Sequence, residues 1–200
     1  MRIGIIGAGS VGRALGGGLA VQQDVEVVYG VRNPADAEHQ SLGMVATAQD
    51  AAAGSEIVVL AVPSTAVGDL VPALALRENQ VVVDATNAVR TPVPGGYDTM
   101  GDFVGSLLPS GVLLVKAFNT IGAEHLGDGH FGTDRAFLPI AGDEEGLRVV
   151  APLAESLGFA PAALGGREAF GLVEAHAALW IHLAFSCGWG RGFGFVTRNR

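Results

Sequence analysis

The stretch that decides the fold is Gly7-Ala8-Gly9-Ser10-Val11-Gly12, which has the pattern G-x-G-x-x-G. It directly follows Arg2–Ile6, a short run rich in β-branched residues that predicts a buried strand ending at Gly7. Residues 10–21, which come next, predict a helix. A strand, a glycine-rich turn and a helix in this order are typical of a unit that binds a dinucleotide.

Each glycine of the turn has a physical role in such a unit. Gly7 permits the tight turn, Gly9 lets a pyrophosphate approach the backbone, and Gly12 lets the helix pack close to the strand. The free N–H groups and the dipole at the helix start attract the phosphates. The predicted pyrophosphate-binding residues are Gly7, Ala8, Gly9, Ser10, Val11 and Gly12.

Strands and helices alternate after this unit, which predicts right-handed crossovers and a mostly parallel sheet covered on both faces. We therefore expect an α/β protein with a doubly wound, Rossmann-type sheet. Further strands are predicted at 25–29, 43–46, 56–62, 80–85 and 112–118. Helices are predicted at 49–53 and 64–76, and a short helix is predicted to end at 107–109.

The C-terminal part of the chain has a looser pattern. A polar loop is predicted at 125–135, extended segments at 136–141 and 159–163, helices at 143–157 and 166–185, and a glycine-rich tail at 188–195. We expect one domain over residues 1–200, with a core at 1–120. The extension at 121–200 is predicted to form a helical cap, a wall of the acceptor pocket and a homodimer interface, because its last helix is apolar almost all round.

The end of the second strand predicts which dinucleotide binds. It reads Tyr29-Gly30-Val31-Arg32-Asn33, without the carboxylate that an NAD site uses for the ribose hydroxyls. Arg32 offers a guanidinium to a 2′-phosphate instead, which favours NADP(H). Asp36 and Glu38 follow closely and would weaken a phosphate site if they pointed inward.

The ends of the later strands are expected beside the nicotinamide, because ligands bind at the carboxyl ends of parallel strands. Asp84 is interpreted either as a site residue or as a turn cap, and Lys116 either as a group that positions nicotinamide or as a structural ion pair. The predicted cofactor-binding residues here are Arg32, Asn33, Ala61, Val62, Pro63, Ser64, Asn87 and Ala117, and the predicted acceptor contacts are Phe118, Asn119, Thr120 and Trp180.

Composition excludes several classes of function. The net charge of −8, with no basic stripe, argues against a nucleic-acid partner. The single cysteine, Cys187, precludes an internal disulfide, and we expect it to be buried in a cytoplasmic protein. The apolar run from 172 to 187 is shorter than the roughly 20 residues that span a bilayer, so no membrane partner is expected. Asp128, His130 and Asp134 lie in one polar loop, and no metal site is predicted there.

Several motifs together resemble the coenzyme F420-dependent NADP oxidoreductase family, and the NADPH domain of the STEAP metalloreductases has a similar fold. The motifs are Gly7 to Gly12, Gly-x-Arg-Asn-Pro at 30–34, Ala61-Val62-Pro63, Val115 to Thr120, Leu179 to Leu183, and Gly188-x-Gly190-Arg191-x-Phe193.

This resemblance implies an NADP-dependent oxidoreductase. Hydride would pass between NADP(H) and a planar deazaflavin, with no residue acting as a strong acid or base. The family pattern differs at Val31 and Asp36, and both differences would weaken 2′-phosphate binding. It also differs at Asn119, so a flavin acceptor is an open alternative to F420. Two other hypotheses are a small imine or ketone reductase related to pyrroline-5-carboxylate reductase, and a non-enzymatic NADP(H)-sensing module.

Overall fold

A computed structural model describes residues 1–89 and 91–198. Its main feature is an eight-stranded sheet in the order β10-β9-β6-β5-β4-β1-β2-β3. A two-stranded hairpin, β7-β8, stands apart from it. The strands are β1 Arg2–Ile6, β2 Glu26–Val31, β3 Met44–Thr47, β4 Ile57–Leu60, β5 Val81–Asp84, β6 Leu113–Lys116, β7 His130–Phe131, β8 Asp134–Arg135, β9 Phe137–Gly142 and β10 Ala160–Ala163.

Strands β1 to β6 all run parallel to one another in the sheet. Strand β9 runs antiparallel to β6, and β10 runs parallel to β9, so the last two strands extend the sheet in the reverse direction. The carboxyl ends of β1, β2, β4, β5 and β6 therefore lie along one edge, where the glycine turn also begins.

Helices cover both faces of the sheet. Residues of α1 and α6 belong to one apolar cluster, and residues of α3, α4, α5 and α7 belong to the other. The helices are α1 Ser10–Ala20, α2 Ala37–Gln40, α3 Ala48–Ala53, α4 Val67–Ala73, α5 Met100–Leu107, α6 Glu144–Ser156 and α7 Phe170–Ile181.

The central strands supply both clusters because successive side chains of a strand point to opposite faces. In β4, Ile57 and Val59 join the α1 and α6 side, while Val58 and Leu60 join the other side. All four side chains are at most 3% exposed. Each such side chain contributes about 1.5–3 kcal/mol of burial free energy, so the apolar strands anchor the sheet edge that carries the site.

The Rossmann-type α/β fold predicted from the sequence is confirmed, with α6 and α7 in the C-terminal part. Two expectations were wrong in detail. The polar loop contains the β7-β8 hairpin, and Cys187 is exposed rather than buried. The short helix α2, which was not predicted, follows β2. Cys187 comes just after the last helical segment, where the chain turns into the tail.

The last helical stretch combines three segments. A 3₁₀ turn at Arg167–Ala169, helix α7 and a π-helical turn at His182–Ser186 form 20 continuous residues. By length and composition alone this stretch could cross a membrane, but a core helix of a globular domain passes the same test. Phe170 and Val173 of α7 belong to a core cluster, whereas Leu172 and Leu179 are exposed.

Candidate cofactor site

The glycine turn between β1 and α1 has almost no room for side chains at two of its positions. Gly7 has φ +108°, and a Cβ there would lie 2.4 Å from the Ala61 carbonyl oxygen. A Cβ on Gly12 would lie 2.0 Å from the Gly7 carbonyl oxygen. A Cβ on Gly9 would meet nothing within 4 Å, so the turn is open at this point. That combination fits a pyrophosphate lying against the backbone at Gly9.

A cavity of about 920 Å³ lies over the glycine turn. This volume is within the range of cofactor pockets. Its walls come from the turn, the end of β2, the chain after β4 and helix α4. The lining residues include Gly7, Ala8, Gly9, Arg13, Gly30, Arg32, Glu38, His39, Val62, Pro63, Thr65 and Asp69.

Arg32 and Asn33 have different positions at the end of β2. Arg32 is exposed and lines the cavity. The Asn33 side chain instead closes a local turn, since its Nδ2 donates to Asp36 Oδ1 at 2.7 Å and its Oδ1 accepts from the Ala35 N–H. Asp36 does not line the cavity, whereas Glu38 does.

Arg13 is a residue of the cavity that the sequence analysis missed. It follows the last glycine of the turn, and its Nε donates to the Ala8 carbonyl at 2.7 Å. Its Nη2 lies 2.5 Å from Glu38 Oε1, so the side chain extends from α1 towards α2. The signal was present in the sequence as a cation next to the turn, but only the fold shows where it points.

A buried charge cluster lies below the ends of β5 and β6. Lys116 is fully buried, and its Nζ lies 2.8 Å from Asp84 Oδ2, 2.6 Å from the Thr86 carbonyl and 3.1 Å from Glu174 Oε1. Asp84 also accepts from the backbone N–H and the hydroxyl of Thr86 through Oδ1. Lys116 is therefore a structural ion pair, and Asp84 combines that pair with capping of the following turn.

Glu174 connects this cluster to two helices. It lies on α7, and its carboxylate accepts from the N–H groups of Met100 and Gly101 at the start of α5. The helix dipole makes this a favourable position for a negative charge. The three charges therefore hold β5, β6, α5 and α7 in one arrangement.

Asn87 and Asn119 are paired beyond the ends of the same strands. Asn87 Nδ2 donates to the Asn119 carbonyl at 2.7 Å, and Asn119 Nδ2 donates to Asn87 Oδ1 at 3.0 Å. Phe118, next to Asn119, has φ +61°, an uncommon conformation for a bulky residue. The buried Asn119 Oδ1 and Thr120 Oγ1 have no hydrogen-bond partner among the described residues. Strain and unpaired polar atoms of this kind concentrate at functional sites.

A second cavity, of about 540 Å³, lies between the end of β5 and α7. Asn87 is one of its lining residues. The others include Val89, Val93, Asp98, Thr99, Glu174, Ala178, Ile181 and His182. Among the predicted site residues, the structure thus brings Gly7, Ala8, Gly9, Arg32, Val62 and Pro63 to the first cavity and Asn87 to the second.

Other predicted site residues lie outside both cavities. Ser10 borders a third, smaller cavity with Glu124 and Arg191. Ser64 is buried in a 3₁₀ turn, and Ala117, Phe118, Asn119 and Thr120 are buried at the end of β6. Trp180 is 4% exposed, because Phe193 of the tail stacks on it at 5.2 Å and its Nε1 donates to the Phe193 carbonyl.

The tail is held down by an ion pair. Arg191 donates to both carboxylate oxygens of Glu124 at 2.9 and 2.7 Å. Burial raises the pKa of Glu124, but hydrogen bonds from its own backbone N–H and from Arg191 outweigh this and leave the pKa below its usual value. The segment 188–195 therefore folds back over the start of the C-terminal extension.

The polar residues of the hairpin do not form a metal cluster. Among the described residues, no group of three or more His, Cys, Asp or Glu side chains has the geometry to hold an ion. Asp128 instead accepts from the backbone N–H of His130 and lies 2.7 Å from its Nδ1. These two contacts lower the pKa of Asp128.

The sheet order, the glycine turn and the open backbone at Gly9 define a Rossmann-type dehydrogenase domain. Comparison with known proteins agrees. Residues 2–88 match the family described as NADP oxidoreductase, coenzyme F420-dependent. A protein of Arthrobacter sp. FB24, provisionally named an F420-dependent NADP reductase, has a structure with a TM-score of 0.82, 26% identity and 100% of both chains covered.

Two further relatives have similar levels of identity. A hypothetical protein of Sinorhizobium meliloti is 33% identical, with a TM-score of 0.73 and 86% of this chain and 88% of that chain covered. Metalloreductase STEAP3 of Rattus norvegicus is 29% identical over 177 residues, or 87% of this chain. The chain spans 36% of the length of that relative.

The protein belongs to the family of F420-dependent NADP oxidoreductases, which is an enzyme family.

Proposed function

We propose that this protein is an NADPH-dependent oxidoreductase that transfers hydride between NADP(H) and a planar deazaflavin or flavin acceptor. The observation that supports this most directly is the 920 Å³ cavity, which joins the glycine turn to the exposed Arg32. The end of β2 has a cation at the position where an NAD site has a carboxylate. The cavity thus offers separate sites for a pyrophosphate and a 2′-phosphate.

The residues would divide the binding between them. The N–H groups from Gly7 to Gly12 would hold the pyrophosphate, Arg32 the 2′-phosphate, and Val62 and Pro63 the wall beside the adenosine and nicotinamide ribose. Asn33 would hold the turn that carries Arg32, since its side chain bonds to Asp36. Bound NADPH supplies the hydride, and the protein contributes proximity and orientation.

The acceptor would bind at the end of β5, in the 540 Å³ cavity that Asn87 lines. This cavity is within the size range of small-molecule pockets. The Asn87–Asn119 pair connects it to the strained segment at the end of β6, where Ala117 to Thr120 would set the position of the nicotinamide. Trp180 would not contact the acceptor directly, because Phe193 of the tail stacks on it. It would instead support the tail.

A homodimer and a cytoplasmic location are further parts of the proposal, together with a single domain over residues 1–200. Leu172 and Leu179 are seven residues apart on α7, so they share a helix face, and they are 62% and 49% exposed. Phe185 and Trp189 extend the apolar surface and are 59% and 62% exposed. Light scattering would test this assembly, and Leu179→Glu is expected to convert the dimer to a monomer. A monomeric wild-type protein would reject it.

Turnover of NADPH tests the proposed activity. The absorbance of the reduced nicotinamide would be followed with F420, FMN, riboflavin, a small cyclic imine or no acceptor. Oxidation with F420 or a flavin supports the proposal, and oxidation with the imine alone would replace it with an imine reductase. Tight NADPH binding without any turnover would indicate a sensing module.

Arg32→Ala tests the assignment of the phosphate site. A charge-assisted hydrogen bond contributes roughly 1.5–3 kcal/mol, so the Kd of NADPH is expected to rise by about 10- to 100-fold. The Kd of NADH should change by less than about threefold, since NADH lacks the 2′-phosphate. Equal effects on both dinucleotides would show that Arg32 does not bind that phosphate.

A further inference from the structure

Arg13 and Glu38 form an ion pair in the lining of the cofactor cavity. Both line the 920 Å³ cavity, together with Arg32 and His39. The Arg13 guanidinium is held in place by its Nε–H bond to the Ala8 carbonyl, and its Nη2 contacts Glu38. The cavity therefore contains a second guanidinium that is already oriented towards α2.

We infer that Arg13 is a specificity residue for the 2′-phosphate of NADP(H), and that Glu38 occupies the place of that phosphate when no NADP(H) is bound. This inference rests on the proposed function, because it concerns the same cofactor. On binding, Arg13 exchanges the Glu38 carboxylate for the phosphate. The step is an exchange of ion pairs, and no covalent bond changes.

The position of Glu38 indicates the 2′-phosphate and not the pyrophosphate. Glu38 belongs to α2, which begins at Ala37 shortly after Arg32 and the end of β2. The Nη2 end of the guanidinium therefore contacts the element that follows β2, where the adenosine ribose is expected. Two arginines on one phosphate match the strong, planar recognition that guanidinium groups give.

Both side chains are exposed enough for Arg13 to exchange the Glu38 carboxylate for a phosphate at little cost in free energy. The side chains of Arg13 and Glu38 are 36% and 77% exposed, and Glu38 lies on a four-residue helix. Exposed ion pairs contribute little free energy because water screens them. A phosphate dianion carries more charge than a carboxylate and takes Arg13 readily, whereas the neutral 2′-hydroxyl of NADH does not. The Arg13–Glu38 pair thus weakens the binding of NADPH, which has to break the pair, and leaves the binding of NADH nearly unchanged.

Asp69, the other carboxylate in the lining, is on α4 at the opposite wall. It does not share the Arg13 contact. Glu38 is therefore the carboxylate whose removal should free Arg13, and Glu38→Gln keeps nearly the same shape while removing the charge.

Titration of the full-length protein with NADPH and with NADH tests this inference. Glu38→Gln is expected to lower the Kd of NADPH by roughly 3- to 10-fold and to leave the Kd of NADH within about twofold. Arg13→Met should raise the Kd of NADPH by about 10-fold and leave NADH nearly unchanged. In the double variant, Glu38→Gln should bring no gain, because its effect acts through Arg13.

Glu144→Gln is the matched control, since it removes the same charge from an exposed pair with Arg148 on α6. It is expected to change neither Kd. Equal loss of both dinucleotides in Arg13→Met would assign Arg13 to the pyrophosphate, and weaker NADH binding in Glu38→Gln would make Glu38 a ribose ligand. Either result overturns the inference. If the wild-type protein bound neither dinucleotide, the proposed function itself would fail.

Discussion

Lys116 on β6 and Glu174 on α7 form an ion pair with 3.1 Å between Nζ and Oε1, although 58 residues separate them in the chain. The lysine also contacts Asp84, and the glutamate also caps α5. One buried cation thus ties the last helix to the carboxyl end of the sheet, directly beside the second cavity.

Lys116→Met is expected to destabilise the protein strongly. It leaves the fully buried Asp84 and the partly buried Glu174, whose side chain is 18% exposed, without a counter-charge. Breaking a buried pair such as Lys116–Asp84 in this way costs about 3–5 kcal/mol. Chemical denaturation would measure the free energy of unfolding. The control is Arg148→Met, which breaks an exposed pair with Glu144 and should cost less than about 1 kcal/mol. A similar decrease in the free energy of unfolding in both variants would show that the buried cluster stabilises the protein no more than an exposed ion pair does.

Gly12→Ala is expected to disturb the cofactor turn. The added Cβ would lie 2.0 Å from the Gly7 carbonyl, so α1 must move away from β1 at a cost of at least about 1–3 kcal/mol. NADPH binding should weaken as well, because the turn would lose its shape. Calorimetric titration and thermal melting measure the two effects.

Gly17→Ala is the matched control on the same helix. A Cβ on Gly17 meets nothing within 4 Å, and alanine is the better helix former by about 1 kcal/mol. This variant should bind NADPH normally and be as stable as the wild type or more so. A normal NADPH affinity in Gly12→Ala would contradict the close packing of the turn.

Asn87→Ala is expected to slow hydride transfer more than it weakens cofactor binding. It removes both hydrogen bonds to Asn119 and frees the strained segment after β6, at a cost in stability of about 1–3 kcal/mol. We expect a fall in kcat of at least about 10-fold. Asn33→Ala, which opens the turn near Arg32, should instead raise the KM for NADPH. Steady-state kinetics of both variants would reveal the reverse pattern if the assignment is wrong.

His176 should make the free energy of unfolding decrease as the pH falls below the usual histidine pKa of 6.5. Burial lowers the pKa of His176 below its usual 6.5, because the ring lies between Phe137 and Phe195. Below about pH 6.5 the unfolded chain therefore binds a proton at His176 more readily than the folded chain does. The free energy of unfolding that is present above this pH is lost as the pH falls. The melting temperature should fall as well.

His176→Phe should flatten that pH dependence, whereas His130→Gln, at an exposed histidine, should not.

Asp143 is expected to affect stability at lower pH than His176 does. Burial raises its pKa, but hydrogen bonds from Arg167 and the Leu114 N–H outweigh this and leave the pKa below 3.8. The contribution of Asp143 to the free energy of unfolding is therefore lost only at a lower pH than that of His176. An unchanged slope in His176→Phe would assign the pH dependence to other groups.

Much of the site was predictable where it depends on local sequence. The glycine turn and Arg32 were found because each lies next to a strand end whose pattern is clear, and both line the cavity. The contact between Arg13 and Glu38 was missed because it joins α1 to α2 across 25 residues. The same holds for Trp180, whose aromatic ring appeared available to an acceptor until the fold placed Phe193 on it.

The sequence by itself determined the alternation of strands and helices, the glycine turn and the cation at the end of β2. These features follow from the periodicity of apolar residues and from the conformational freedom of glycine, both of which are local. Tertiary structure alone decided that Lys116 is a buried ion pair, that Asn87 reaches Asn119 and that Glu38 holds Arg13. Each of these contacts joins segments far apart in the chain, so its geometry exists only when the sheet has brought them together.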